Sequence, residues 1–203
     1  MWKAILVLAM VFSCSLNAEI KVLAFSGSTR GNSANTKLVK EAAEIARKNG
    51  ATVTLIDLND YEMPFYDADI EAKNGMPAQA KQLRELMIQS EVILIASPEY
   101  NSSLSAVLKN TIDWVSRSEK GSASRDAFKG KKFVIMSASP GAGGGARGLV
   151  HLKNILEAIG GTVVSPEFAL PNSYTAFDEQ GHLENTQKRE ALEALVRQAL
   201  TLN

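Results

Sequence analysis

A chain of 203 residues fits one large domain and can bury a full core without disulfide or metal staples. Apolar residues make up 45% and charged residues 22%, which is not a disordered composition, and 22 Lys and Arg against 22 Asp and Glu leave no basic surplus for nucleic acid or a membrane surface. A single cysteine, Cys14, and two histidines, His151 and His182, exclude an internal disulfide and an all-cysteine or Cys/His zinc site.

Residues Met1–Ala18 begin with Met-Trp-Lys, continue as an apolar run from Ala4 to Phe12 and end in small and polar residues. That is a secretory signal pattern, too short to span a bilayer as a finished helix. Cleavage after Ala18 leaves a domain of residues 19–203, exported or periplasmic; without cleavage the same domain is cytoplasmic. Two competing readings are an uncleaved apolar tail and a true start at Met10. No twin-arginine pair marks export in a folded state.

From Lys21 onward, short apolar runs alternate with amphipathic stretches. Lys21–Ser26, Thr52–Asp57, Val92–Ser97, Phe133–Ser137 and Thr162–Ser165 read as strands. Ala34–Lys48, closed by Asn49-Gly50, reads as a helix, as do Pro77–Gln89, Leu104–Ser116, Arg147–Ile159 and Glu184–Leu202. Asn59–Gly75 reads as a long irregular loop. Strands with few polar residues are buried on both faces, which predicts a parallel sheet covered by helices. Five βα repeats with right-handed crossovers give a doubly wound α/β domain, and five strands suit the flavodoxin-like order 2-1-3-4-5. Ligands of such sheets bind at the carboxyl ends of the strands, so the loops to inspect follow Ser26, Ser97 and Ser137.

The first loop, Ser26-Gly27-Ser28-Thr29-Arg30-Gly31-Asn32-Ser33-Ala34-Asn35-Thr36, gathers hydroxyls, amides and one guanidinium ahead of a helix. Helix N-terminal N–H groups, hydroxyls and a guanidinium together suit a phosphate monoester. No Gly-Lys-Ser/Thr follows, so it is not a P-loop. The second loop, Pro98-Glu99-Tyr100-Asn101-Ser102-Ser103, offers a tyrosine and an amide to a flat heteroaromatic ligand. The third, Ser137-Ala138-Ser139-Pro140-Gly141-Ala142-Gly143-Gly144-Gly145-Ala146, satisfies G-x-G-x-x-A with Glu167 downstream. It follows the fourth strand rather than the first, so we read it as a glycine-rich loop that lets backbone approach a bound ring.

Taken together, S-G-S-T-R-G-N-S-A-N, P-E-Y-N, L-K-N-T-I-D-W and G-G-A-R resemble the NADPH-dependent FMN reductases, which include quinone and chromate reductases. Met63–Asp69 and Pro166–Phe168 extend the resemblance, which runs from about Ile20 to Phe168. It implies FMN as cofactor and NADPH or NADH as reductant. By matching position, Ser28, Thr29, Arg30, Gly31, Asn32, Ser33, Ala34 and Asn35 would hold the phosphate and ribityl chain. Glu99, Tyr100, Asn101 and Ser102 would line the isoalloxazine, with Ser139 against the ring. The resemblance also implies a homodimer or homotetramer, because the flavin of the family lies near a subunit boundary. Where the family has Pro-Gly, this chain has Ser105-Ala106; Ser105 is placed to cap the helix that follows.

With a flavin bound, the protein supplies orientation, electrostatics and access, so no catalytic side chain is nominated. The predicted activity is electron transfer from NAD(P)H to a quinone, flavin or similar small acceptor. An exported FMN-binding electron carrier is the alternative, although carriers of this fold tend to be acidic and this chain is neutral. A phosphosugar or nucleotide binder is a third reading of the first loop. His151 reads as structural or interfacial, His182 as solvated, Asp67 and Asp69 as members of a solvated loop, Trp114 as core, and Asp113 as a hydrogen-bonding support for the Pro98–Ser103 loop.

Overall fold

The computed structural model describes residues 19–201, so the signal-peptide expectation for Met1–Ala18 lies outside the described residues. The interior strands are those with no polar face to offer water. β1 (Lys21–Ser26), β3 (Val92–Ala96) and β4 (Lys132–Ala138) are buried almost throughout, whereas β2 (Thr52–Ile56) is half-exposed and forms one edge. β5 (Thr162–Val163) and β6 (Phe168–Leu170) share the other edge, each paired in parallel with β4. The order is β2-β1-β3-β4-β5, all parallel, as the flavodoxin-like reading expects.

Register decides where chemistry can sit. Ser26 pairs with Ala96, Ala96 with Met136, and Met136 with Phe168. β1 and β3 therefore end at the same level, β4 and β6 run two residues further, and the segments that leave all four emerge along one rim.

Alternating residues of each strand feed two cores. Val22, Ala24, Leu94 and Met136 pack beneath α1 (Ala34–Lys48) and α6 (Thr186–Leu200) through Leu38, Ala42, Leu192 and Val196. Leu23, Phe25, Ile93, Ile95 and Phe133 face α3 (Ala78–Gln89), α4 (Ala106–Val115) and α5 (Ala146–Ala158) through Leu83, Leu108, Ile112, Leu149 and Leu152. Trp114 is fully buried, as expected of a core residue; its indole N–H donates to the Pro64 carbonyl at 2.8 Å and its ring meets Tyr66 edge-on.

Two elements depart from the sequence reading. The segment Asn59–Gly75 is not wholly irregular: it includes α2 (Ala68–Asn74), preceded by a 3-10 turn at Leu58–Tyr61. Asp67 is the α2 N-cap, accepting from the N–H groups of Asp69 and Ile70, so it is not a plain solvated carboxylate. Inside α2, the buried Glu71 takes three hydrogen bonds from Arg117, and these hold its carboxyl below the ordinary 4.5. The second departure is β6. β5 stops at Val163, within the expected Thr162–Ser165, but beyond Pro166 a further short strand that the sequence reading did not expect pairs with the upper half of β4.

Candidate functional site

At the end of β1 the ladder runs one residue further, with Gly27 N–H donating to the Ala96 carbonyl at 2.8 Å. A Cβ on Gly27 would lie 3.0 Å from Leu108, so glycine lets α4 close on the loop. The loop then folds on its own hydroxyls: Ser26 Oγ accepts from Ser28 N–H and Ser28 Oγ accepts from Arg30 N–H. Asn59 donates to the Thr29 carbonyl at 3.2 Å and steadies the loop from outside. Ser33 caps α1 through Asn35 N–H. The N–H groups of the first helical turn have no partner within the helix and carry its positive end.

Asn35 is nearly buried, at 3% exposure, and its amide faces the end of β4. Its Nδ2 donates to the Ala138 carbonyl at 3.0 Å and its Oδ1 accepts from Ala138 N–H at 2.9 Å. That double bond of donor and acceptor ties the first loop to the third, across β3.

The loop after β3 turns tightly at Tyr100–Ser103, with both cross-bonds formed and Asn101 and Ser102 at φ 52° and 64°. Two successive left-handed residues are the signature of a type I′ turn. Glu99 Oε2 accepts from Gly148 N–H in the first turn of α5 at 2.9 Å, and Arg147 reaches Oε1 at 3.3 Å. Ser105 caps α4 as expected, accepting from Leu108 N–H, and it also donates to the Gly27 carbonyl at 2.6 Å. The expected support from Asp113 is not there: Asp113 pairs with Lys109 one turn away at 2.7 Å. Asn110 and Trp114 do the bracing on that helix, and they brace Pro64 and Tyr66 instead.

The glycines of the third loop serve packing at the α5 end. Gly145 has φ 87°, and a Cβ there would come 1.9 Å from Ser137 Oγ; a Cβ on Gly148 would press on Glu99 at 3.3 Å. Within that loop, Gly141 and Gly143 alone have open space around them.

A fourth segment joins these three. Numbers 171–185, leaving β6, fold back over the rim. Leu170 and Ser173 pair with Ser139, and a bridge joins Phe177 to Leu183. Lys37 places its ammonium 5.9 Å from the Phe177 ring. His182 is not merely solvated. Its Nδ1 lies 2.7 Å from the buried carboxylate of Glu41 on α1, and that hydrogen bond raises its pKa above the ordinary 6.5.

The four segments line one open cleft of about 210 Å³. Ser28, Arg30, Asn32, Ser33, Ala34, Asn35, Glu99, Tyr100 and Ser139 line it; Thr29, Gly31, Asn101 and Ser102 belong to the same loops without joining its lining. The sequence reading missed Lys37, Ser173, Tyr174 and Phe177. The signal for the last three was the strand it did not predict: a loop leaving the carboxyl end of β6 reaches the same rim. Among the described residues, Arg30 and Lys37 have no carboxylate partner, and no group of three or more His, Cys, Asp or Glu side chains is placed to hold a metal ion. His151, on α5, lies 3.2 Å from Ser103 Oγ and outside the cleft. The donor set is therefore that of an anion site, with apolar walls from Pro98, Tyr100, Pro140, Tyr174 and Phe177.

Replacing Asn35→Asp keeps the shape but sets a carboxylate oxygen against the Ala138 carbonyl. Urea unfolding should show a loss of about 2 kcal/mol, with the slope unchanged. The His182–Glu41 contact should act with a defined sign. A histidine raised in the folded state contributes most below about pH 6.5, and that contribution fades as pH rises through the raised value. Thermal melts of wild type and His182→Gln should therefore differ most near pH 5.5 and converge towards about pH 9.

The sequence pattern of NADPH-dependent FMN reductases matches residues 20–175. An NAD(P)H-dependent FMN reductase of Pseudomonas aeruginosa is 35% identical over 188 residues, covering 92% of this chain and 96% of the relative. A quinone reductase of Escherichia coli is 34% identical, covering 75% and 78% respectively. Among solved structures, the flavoenzyme NAD(P)H:(acceptor) oxidoreductase FerB of Paracoccus denitrificans superposes with a TM-score of 0.74 at 28% identity, covering 88% of this chain and 94% of the other.

Proposed function

The chain belongs to the NADPH-dependent FMN reductase family, and on that premise we propose that it is an FMN-dependent oxidoreductase transferring electrons from NAD(P)H to quinones or similar small acceptors. For a quinone the balance is one hydride from the nicotinamide and one proton from water, giving oxidised nucleotide and hydroquinone. The observation that carries this reading is the meeting, in one cleft, of a phosphate-type donor set with apolar and aromatic walls.

The residues fit FMN by the chemistry of those donors. In this reading Ser28, Arg30, Asn32 and Ser33, with the N-terminus of α1, hold the phosphate, and Thr29 and Gly31 shape the loop that presents them. Asn35 positions that loop, since both ends of its amide are already committed to Ala138. Tyr100, with Asn101 and Ser102 setting its turn, and Ser139 bound the flat ring. Glu99 positions rather than donates: its carboxylate is held by the start of α5. When bound, FMN supplies the hydride and electron transfer, and the protein supplies binding, orientation and access. Assembly as a homodimer or homotetramer belongs to the same reading. It is supported by Val150, 57% exposed on α5, and by a shallow groove that Leu104, His151 and Ile155 line.

The test is an anaerobic NADPH titration of the FMN-loaded protein followed by visible absorbance. Stoichiometric bleaching is expected. A flavin spectrum unchanged by excess NADPH or NADH would overturn the reading.

A further inference from the structure

Tyr174 presents a large ring to solvent, 86% exposed, and yet it lines the cleft. Its main chain is not free to wander. Ser173 is buried and donates its N–H to the Ser139 carbonyl at 3.1 Å, Asn172 is left-handed at φ 54°, and Thr175 N–H closes a turn on the Asn172 carbonyl at 3.1 Å. The backbone is thus fixed while the ring stands bare at the mouth. Groups that line the floor of the same cleft are deeply covered: Ser28, Ser33 and Asn35 are exposed by 6%, 5% and 3%. A ligand seated on that floor meets them first, and what enters afterwards meets Tyr174.

Tyr174 also has a counterpart. Tyr100, 51% exposed, lines the cleft from the turn after β3, while Tyr174 follows β6. β3 and β6 are the two neighbours of the upper part of β4. Two interstrand spacings separate β3 from β6 by about 10 Å, so the two tyrosines reach the cleft from different strand ends.

Resting on the function proposed above, we infer that Tyr174 is a specificity residue for planar aromatic acceptors, stacking on the acceptor at the mouth of the cleft, above the floor that holds the cofactor. Stacking of this kind strengthens binding roughly two- to tenfold beyond simple burial. Compact, non-planar electron acceptors gain nothing from it.

The test uses the FMN-loaded full chain with Tyr174→Ala and Tyr174→Phe. The binding probe is 1-naphthol, flat and redox-inert; the turnover probes are 2-methyl-1,4-naphthoquinone and ferricyanide at saturating NADPH. Tyr174→Ala should raise the 1-naphthol dissociation constant roughly three- to tenfold, and the quinone KM by a factor at least about three times larger than for ferricyanide. Tyr174→Phe, which keeps the ring, should bind and turn over like wild type. Equal 1-naphthol affinity in wild type and Tyr174→Ala, or equal KM increases for both acceptors, would overturn the inference. If wild type fails to oxidise NADPH while the 1-naphthol affinities still separate, the functional reading falls and the role of Tyr174 as a planar-ligand contact stands.

Discussion

The cleft depends on one buried amide. Asn35 sits in the first turn of α1, and its side chain spans β3 to take both backbone groups of Ala138 at the end of β4. Each such bond contributes only about 1 kcal/mol net, but a buried donor or acceptor left unpaired costs about 1–3 kcal/mol. The pairing is therefore hard to relax, and it fixes the distance between the first loop and the third. The neighbouring residue, Ser139, then anchors the fourth segment through Leu170 and Ser173. Three of the four walls hang on adjacent positions of one strand end.

The second loop is joined to the same frame from both sides. Ser105 ties it to the Gly27 carbonyl of the first loop, and Glu99 ties it to the N-terminus of α5 beyond the third. A carboxylate at a helix N-terminus is favoured by the helix dipole, and the positive φ of Gly145 lets that terminus come close. Loops held this way are preorganised, so little ordering cost opposes a ligand that fits them. Loop 171–185 is the exception in kind: its hold on α1 runs through a titratable contact, His182 to Glu41, as well as through packing.

Much of this is legible in the sequence. The interior strands announce themselves as apolar runs without a polar face, and the four longest helices after Lys21 show their period over three or more turns. Ser33 and Ser105 are readable as caps because capping is local. Other features are not local. Asn35 reads as one more polar residue in a phosphate loop, since its partner lies 103 positions away. Glu99 reads as a ring contact for the same reason, its partner being 49 positions away. α2 has only 7 residues, too few for a period, and β6 has 3, behind a proline. Losing β6 also hid the fourth segment, because the rule that points to carboxyl ends applies only to strands one has found. His182 shows the same limit in reverse: a histidine among polar residues looks solvated until a distant helix brings Glu41 to it.

The central claim is that a phosphate held by the first loop anchors FMN in a cleft assembled by these long-range bonds. Its most direct test compares the affinity of the cofactor-free protein for FMN and for riboflavin, which share the ring and differ by the phosphate. The account predicts FMN binding tighter by about a hundredfold or more, the worth of two charge-assisted hydrogen bonds or so. Equal affinities would contradict it, because the ring alone would then be what the cleft holds.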